Sequence, residues 1–247
     1  MAGVSEPLVL LHGFTQTGRG WDEVVRHLGG ERYRPLAPDL RGHGAAGSAR
    51  PIDMKTCVRD VVELVADRFA LVGYSMGGRI ALHVALARPE RVSKLVLVST
   101  TAGIEDPAAR AARRERDDEL AAWIEAHPID RFADRWGALP LFAAQTPEVA
   151  AAAREDRLRN EPGHLAAALR GIGTGVMAPL WDRLGVLDMP AVVVAGERDP
   201  KFVALGCRLA EALPHAIRRV VSDAGHALPL EAPATVAKVI LDATPRA

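Results

Sequence analysis

The sequence Gly73-Tyr74-Ser75-Met76-Gly77 constrains the fold of this chain more than any other segment. An apolar run, residues 69–72, precedes it, and a helix-like segment, residues 79–87, follows it. A strand, a sharp turn that carries a serine, and a helix together form a nucleophile elbow. The flanking glycines agree with this interpretation, because such a turn packs helix against strand too closely for side chains at those two positions. We therefore predict that the turn raises Ser75 above a sheet and directs the amides at the helix start toward developing negative charge.

Composition limits the class of protein. The chain has 247 residues, of which 49% are hydrophobic, enough to bury one large core in a single α/β domain with an insertion. Its 31 basic and 31 acidic residues cancel, so no global field attracts nucleic acid or a membrane surface. There is no signal-peptide pattern and no apolar run of membrane-spanning length. Cys57 and Cys207 lie far apart without metal-ligand spacing, which favours reduced thiols. We expect a cytoplasmic protein that binds neither nucleic acid nor membrane.

Short apolar runs alternate with helical patterns along most of the chain. Runs typical of buried parallel strands occupy residues 8–11, 69–72, 94–99, 191–195 and 217–221, and a less regular one spans 34–37. Helical patterns lie between them, for example at 21–28, 53–68 and 202–213. Strands alternating with helices predict a mostly parallel sheet with helices on both faces.

One long segment, residues 101–187, interrupts this alternation. It is rich in Ala and Arg and contains three or four helical patterns, including 110–126 and 147–160. We therefore predict a core of residues 1–100 and 188–247 and a helical insertion of residues 101–187. Ligands of open parallel sheets bind beyond the carboxyl ends of the strands, so the insertion is expected to form a lid over Ser75.

Partners for Ser75 follow two later strands. A serine hydroxyl reacts only when a histidine takes its proton, and a carboxylate must orient that histidine. In folds with this elbow the three residues occur in the chain order Ser, Asp, His. Asp199 follows the apolar run at 191–195, and His226 follows the run at 217–221, with one helical pattern between them. Adjacent strand ends can therefore bring Asp199 and His226 together beside Ser75.

Other acids and histidines are weighed against this pair. Glu197 and Asp223 are the rivals to Asp199, which we prefer for its place on the loop. A lone histidine on a loop is more often solvated or structural, and His43 is interpreted as a turn residue. We treat the histidines on predicted helices or their ends as bystanders: His27, His83, His127, His164 and His215.

Stabilising an oxyanion requires two backbone donors. One is expected from the amide of Met76, directly after Ser75. The other is expected from the loop after the first strand, where the sequence Leu-His-Gly-Phe at 11–14 supplies the amide of Phe14.

Five segments resemble the α/β-hydrolase superfamily, and the resemblance covers essentially the whole chain. They are LHGF (11–14), DLRGHG (39–44), GYSMGG (73–78), GERD (196–199) and AGHA (224–227). The resemblance implies an α/β-hydrolase fold. Because the usual sheet of the family begins with two more strands and only seven residues precede Leu8, we expect a sheet that is shortened at its N-terminal edge.

Finer features resemble the 2-succinyl-6-hydroxy-2,4-cyclohexadiene-1-carboxylate synthases of menaquinone biosynthesis. They are GYSMGGRIAL (73–82), RRERDDELA (113–121), FADRW (132–136), LPLF (139–142), RLRN (157–160), GTGVMAPLW (173–181) and GERDPKF (196–202). The resemblance implies a carbon–oxygen lyase that eliminates pyruvate from 2-succinyl-5-enolpyruvyl-6-hydroxy-3-cyclohexene-1-carboxylate without a metal or organic cofactor. It implies that Ser75, His226 and Asp199 remove a ring proton without an obligatory acyl-enzyme.

The resemblance also implies how the substrate is bound. A small polycarboxylate needs cationic partners, and guanidinium groups match carboxylates bidentately. Motif matching assigns this role to Arg79, Arg114 and Arg159, although most arginines on Ala-rich helices are solvated. Trp136 is either an apolar wall of the pocket or part of the core of the lid.

Other functions use the same scaffold. A serine carboxylesterase or a carbon–carbon bond hydrolase with a covalent intermediate has the same triad and the same pair of backbone donors for an oxyanion. The proposed arginines argue against a neutral apolar ester as substrate, because such an ester has no use for buried cations. A catalytically dead receptor would not need an intact Ser-Asp-His set. A dehalogenase requires a carboxylate where Ser75 stands.

Overall fold

The computed structural model describes residues 5–242, in which six parallel strands form one sheet. The strands are β1 (Glu6–Leu11), β2 (Tyr33–Leu36), β3 (Phe69–Tyr74), β4 (Val92–Val98), β5 (Ala191–Gly196) and β6 (Ala216–Val221). Their order across the sheet is β2-β1-β3-β4-β5-β6. The order reverses between β1 and β3, and a reversal of this kind opens a crevice at the carboxyl ends of the strands. The elbow therefore lies at the point where the sheet topology predicts a ligand.

Helices cover both faces of the sheet and fill the long connection between β4 and β5. In chain order they are α1 (Asp22–Leu28), α2 (Met54–Glu63), α3 (Met76–Ala87), α4 (Pro107–Glu125), α5 (Ile129–Gly137), α6 (Pro147–Arg157), α7 (Pro162–Ile172), α8 (Pro200–Ala212), α9 (Leu228–Glu231) and α10 (Pro233–Asp242). Helices α4 to α7 all lie between β4 and β5.

The alternation of side chains along each strand divides the core into two layers. On β1, Leu8 and Leu10 pack on one face with residues of α1 and α10. Val9 and Leu11 pack on the other face with residues of α2, α3 and α8. Successive strand residues point to opposite faces, so a strand that is covered on both sides must be apolar throughout. This requirement explains the continuous apolar runs of the central strands.

Two elements differ from the sequence-based prediction. β6 was expected to be buried, but Ile217 and Val220 are 45% and 42% exposed, because this strand forms an edge of the sheet. Helix α2 ends at Glu63 rather than at residue 68. Arg91 donates hydrogen bonds to the carbonyls of Val65 and Asp67. These carbonyls are therefore satisfied without a further helical turn, and the chain can enter β3.

Within residues 5–242, no helix is both long and apolar enough to cross a membrane. The same residues contain no group of three or more His, Cys, Asp or Glu side chains that could hold a metal ion.

Candidate active site

Ser75 occupies a strained turn between β3 and α3. Its φ and ψ are 51° and −107°, a positive φ that residues other than glycine rarely adopt. The turn is held by close packing: a Cβ on Gly77 would collide with the carbonyl of Leu11, and a Cβ on Gly73 would collide with that of Gly77. The hydroxyl of Thr100 also donates to the carbonyl of Ser75 over 2.7 Å. Backbone strain of this kind persists only where the surroundings enforce it, and here they fix the position of the serine.

His226 and Asp199 meet Ser75 at the carboxyl edge of the sheet. The Nδ1 of His226 donates to Oδ2 of Asp199 over 2.7 Å, and the Ser75 hydroxyl lies 3.2 Å from Nε2 of His226. Asp199 and His226 are buried, and the second oxygen of Asp199 accepts from the amide of Phe202. Oriented in this way, the imidazole presents an unprotonated nitrogen to the serine.

The rival acids point elsewhere. Asp223 is exposed and pairs with Arg198 over 2.8 Å. Glu197 accepts the amide of Asp223 over 3.1 Å. Neither carboxylate hydrogen-bonds His226, so the structure brings Asp199 to the histidine and leaves its two rivals at the surface.

The carboxylate of Glu231 holds the histidine loop, a contact that sequence reasoning missed. Its two oxygens accept from the amides of Gly225 and Ala227, over 2.5 and 2.9 Å. These are the residues on either side of His226. An acidic residue four or more positions after a loop gives no signal in the sequence, because its role depends on α9 turning back toward that loop.

A cavity of about 500 Å³ lies above Ser75, between the carboxyl edge of the sheet and residues of α4, α5 and α7. Ser75 and His226 form its floor. Phe14 and Met76 also line it. As the first residue of α3, Met76 has an amide without a partner inside the helix, as the expected oxyanion donor requires. Phe14 enters from the loop after β1, which is where the second donor is expected.

Trp136 combines the two roles proposed for it. It lines the cavity. Its ring also contacts Phe14 edge-on at 5.3 Å and lies 5.6 Å from the ring of Phe132, which is fully buried among the insertion helices.

The structure changes the set of arginines near the cavity. Arg79 lines the cavity and is buried, with Nη1 donating to the carbonyl of Ile172 over 2.6 Å. Burial lowers the pKa of Arg79 to about 10, and the neighbouring charge of Arg113 contributes. The expected Arg114 is exposed and lies outside the cavity lining, whereas Arg113 and Arg116 of the same helix line it. Arg113 shares a face of α4 with the buried Asp117, four residues later, to which it donates over 2.8 Å.

Arg159, like Arg114, does not line the cavity. It lies beyond the end of α6, is exposed and pairs with Glu155 over 3.0 Å. Arg157 is instead buried, and its guanidinium carbon lies 5.2 Å from the centre of the Phe142 ring, which lines the cavity. Burial lowers the pKa of Arg157, while the nearby Tyr74 and Asp156 raise it. Its Nε has no hydrogen-bond partner within residues 5–242.

Two buried histidines pack together at the loop after β1, and His12 is the first residue of that loop. His12 accepts the amide of Leu40 at Nε2 over 2.9 Å, and its Nδ1 donates to the carbonyl of Gly13. The His43 ring packs edge-on against that of His12 at 5.1 Å. Although His43 occupies a turn as expected, it is completely buried, and burial together with His12 lowers its pKa to about 3. Both imidazole rings are therefore uncharged, and they support this loop by packing rather than by charge.

Comparison with known proteins relates this arrangement to one family. The model described as the alpha/beta hydrolase fold matches residues 6–233. The chain is 35% identical to a protein of Bacillus subtilis (strain 168) provisionally named as a 2-succinyl-6-hydroxy-2,4-cyclohexadiene-1-carboxylate synthase, with 96% of this chain and 89% of the relative covered. It is 33% identical to the synthase of that name from Enterobacter sp. (strain 638), covering 93% and 88%. The solved structure of MenH from S. aureus superimposes with a TM-score of 0.91 at 31% identity, covering 98% and 95%.

Proposed function

This chain belongs to the α/β-hydrolase family and, within it, to the 2-succinyl-6-hydroxy-2,4-cyclohexadiene-1-carboxylate synthases, and we infer that it is a carbon–oxygen lyase. It eliminates pyruvate from 2-succinyl-5-enolpyruvyl-6-hydroxy-3-cyclohexene-1-carboxylate to give the conjugated cyclohexadiene of menaquinone biosynthesis. We propose that Ser75, His226 and Asp199 carry the reaction and that residues 101–187 form a lid over them. We also propose that the protein is located in the cytoplasm.

The charge of the cavity is the observation that supports this substrate. No carboxylate of residues 5–242 forms an ion pair with Arg79 or Arg157, although both guanidinium groups are buried. A buried cation without an anionic partner is costly, so a ligand that supplies carboxylates gains from filling this role. Arg113 and Arg116 add positive charge to the same cavity, and Asp117 is the one acidic residue in its described lining. A substrate with three carboxylates matches this balance.

The elimination follows from the arrangement of the triad. His226 takes the hydroxyl proton of Ser75 while the serine oxygen removes a proton from the ring. The electron pair of that C–H bond moves into the conjugated succinyl carbonyl, whose oxygen gains negative charge near the amides of Phe14 and Met76. The electron pair then returns from that oxygen into the ring, where the double bonds rearrange to the conjugated diene as the C–O bond to the enolpyruvyl group breaks. The electron pair of the C–O bond leaves with the pyruvate enolate. The proton on His226 returns through Ser75, and protonation of the enolate carbon gives pyruvate.

The arginines determine how the substrate lies above Ser75. We propose that Arg79, Arg113 and Arg157 bind its carboxylates, because each combines a guanidinium with a place in or directly behind the cavity wall. Bidentate pairing would fix the ring, and Trp136 would cover its apolar side. A serine carboxylesterase is the rival function, but a neutral acyl group would leave Arg79 and Arg157 without an anionic partner.

A direct assay separates the two functions. The purified enzyme is mixed with the enolpyruvyl intermediate, and the conjugated diene is followed by absorbance while pyruvate is measured with lactate dehydrogenase. We expect equal amounts of both products, no acyl-enzyme by mass spectrometry, and loss of turnover by orders of magnitude in Ser75→Ala. Hydrolysis of p-nitrophenyl acetate should be far slower than elimination. Faster ester hydrolysis, or a Ser75→Ala enzyme with the parent rate of pyruvate release, would contradict the proposal.

A further inference from the structure

The hydrogen bonds that α6 and the residues just after it make to the loop after β1 lead us to propose that Asp156 and Asn160 are positioning residues for the oxyanion site. We name residues 12–17 the oxyanion loop. The proposal rests on the proposed function in taking Phe14 of this loop as an oxyanion donor. Asp156, in the last turn of α6, and Asn160, three residues beyond its end, hold the oxyanion loop in the shape that directs the Phe14 amide at the cavity.

Asn160 joins two loops of the core to the insertion. Its Nδ2 donates to the carbonyl of Thr15 over 3.0 Å, and its Oδ1 accepts the amide of Gly44 over 3.0 Å. Nδ2 also donates to the carbonyl of Arg157 over 3.1 Å, which fixes the amide plane. The side chain is buried, with 3% of its surface exposed. Because the nitrogen and the oxygen of this buried side-chain amide both bind backbone groups, the segments that it connects have little freedom to move.

Asp156 binds the other end of the oxyanion loop through hydrogen bonds. Its two oxygens accept from the amide of Thr17 over 2.9 Å and from the hydroxyl of Thr17 over 2.5 Å. Asp156 is also buried. Hydrogen bonds to a carboxylate are roughly twice as strong as those between neutral groups, so this pair anchors the loop where it leaves the cavity.

The backbone between these anchors is strained. Thr15 has a φ of 74°, in the left-handed region, where a β-branched residue is a genuine outlier. Such a conformation costs on the order of 1–3 kcal/mol and persists only where the surrounding structure over-determines it. Asn160 binds the carbonyl of this very residue. Without that contact the loop can relax, and because Phe14 directly precedes Thr15, relaxation turns the Phe14 amide.

The ring of Phe14 is held from the same side, since it packs edge-on against Trp136 of α5 at 5.3 Å. The insertion therefore fixes both the backbone and the side chain of the donor residue Phe14. It follows that the contacts of α6 and the residues just after it with the core set the geometry of the oxyanion site.

Variants at these positions test the proposal. Asn160→Asp keeps the acceptor for Gly44 but loses the donor to Thr15, and Asp156→Asn loses one of its two acceptors for Thr17. Glu155→Gln is the matched control for the acid-to-amide change, because Glu155 is exposed on the same helix and bonds only Arg159 among the described residues. Each protein is assayed for kcat and KM of pyruvate elimination and for the rate at which p-nitrophenyl acetate acylates Ser75. Urea unfolding and circular dichroism establish that each variant is folded at the assay temperature.

Complete loss of one oxyanion donor lowers kcat about 10²- to 10³-fold, so a displaced donor is expected to cost roughly tenfold or more. We expect kcat of Asn160→Asp and Asp156→Asn to fall by that factor with KM within about twofold of the parent, and the acylation rate to fall in parallel. Glu155→Gln should match the parent in both reactions.

Three results would overturn the positioning role. These are an unchanged kcat in folded variants, a rise in KM alone, and a loss of elimination with acylation at the parent rate. The last would mean that the residues act on the polycarboxylate itself. If the parent releases no pyruvate, the proposed function fails, while the acylation rates still decide whether Asp156 and Asn160 position Phe14.

Discussion

A comparison of Arg113→Ala with Arg114→Ala tests which arginines bind substrate in the cavity. The two residues are neighbours on α4, yet Arg113 lines the cavity and Arg114 is exposed outside it. A charge-assisted hydrogen bond is worth about 1.5–3 kcal/mol. At 1.36 kcal/mol for each factor of ten, we expect kcat/KM for the enolpyruvyl substrate to fall roughly ten- to a hundredfold in Arg113→Ala. It should change by less than about twofold in Arg114→Ala, in line with surface substitutions.

A second effect of Arg113→Ala has to be separated from binding. Asp117 is 6% exposed, and its Oδ1 loses the donor that contacts it over 2.8 Å, while its Oδ2 still accepts from the amide of Gly175. A buried acceptor left unsatisfied costs about 1–3 kcal/mol of stability, and its negative charge in the cavity also repels the substrate. The double variant Arg113→Ala/Asp117→Asn removes that charge. We expect it to regain much of the lost stability in urea unfolding but to recover kcat/KM only partly.

The assay is pyruvate release at saturating and limiting substrate, with acylation by p-nitrophenyl acetate as a reaction that needs no carboxylate binding. Acylation should stay near the parent rate in all three variants. If Arg114→Ala loses as much kcat/KM as Arg113→Ala, or if neither loses any, the placement of the arginines by the structure is refuted.

Three other predictions concern the triad, the pH dependence of stability and the elbow. Ser75→Ala, His226→Ala and Asp199→Asn should each lower kcat by orders of magnitude, and the triple variant little further, because triad residues act as a unit; additive losses in pyruvate assays would contradict this. The folded-state pKa of His43 is lowered to about 3, whereas the unfolded chain protonates near 6.5. His43 therefore contributes stability that is present above pH 6.5 and is lost as the pH falls toward 3, and urea unfolding of His43→Asn should show a shallower decline, with His27→Asn as an exposed control. Gly77→Ala should lower the free energy of unfolding by roughly 1–3 kcal/mol, since its Cβ would collide with the Leu11 carbonyl, whereas Gly163→Ala, with open space around it, should not destabilise.

The meeting of Ser75, His226 and Asp199 could be predicted from the sequence because its signals are local. A serine between glycines, preceded by an apolar run, already contains the strand, the turn and the helix that hold Ser75. Asp199 follows a strand in the same way, and His226 follows the next. Parallel strands end at one edge of a sheet, so local order along the chain becomes proximity in space.

The arginines at the cavity were harder to predict from the sequence, because their role depends on which face of a helix they occupy. Residues 113–116 read Arg-Arg-Glu-Arg, and a run of charges gives no apolar stripe from which the buried face can be read. The same difficulty affected Arg157 and Arg159, since α6 ends between them. Motif matching alone therefore selected Arg114 and Arg159, each a residue or two from an arginine that lies in or directly behind the cavity wall.

Short segments of the chain contain the elbow, the alternation of strands and helices, and the loops that carry Asp199 and His226, so these features could be predicted without the fold. The cations at the cavity, the hydrogen bonds of Glu231 to the histidine loop and that of Asn160 to the carbonyl of Thr15 emerge when the helices pack. Asn160 and Thr15 are 145 positions apart in the chain. Glu231 and Asn160 both bind backbone groups, which every residue carries, so no pattern of side chains indicates these contacts before the chain is folded.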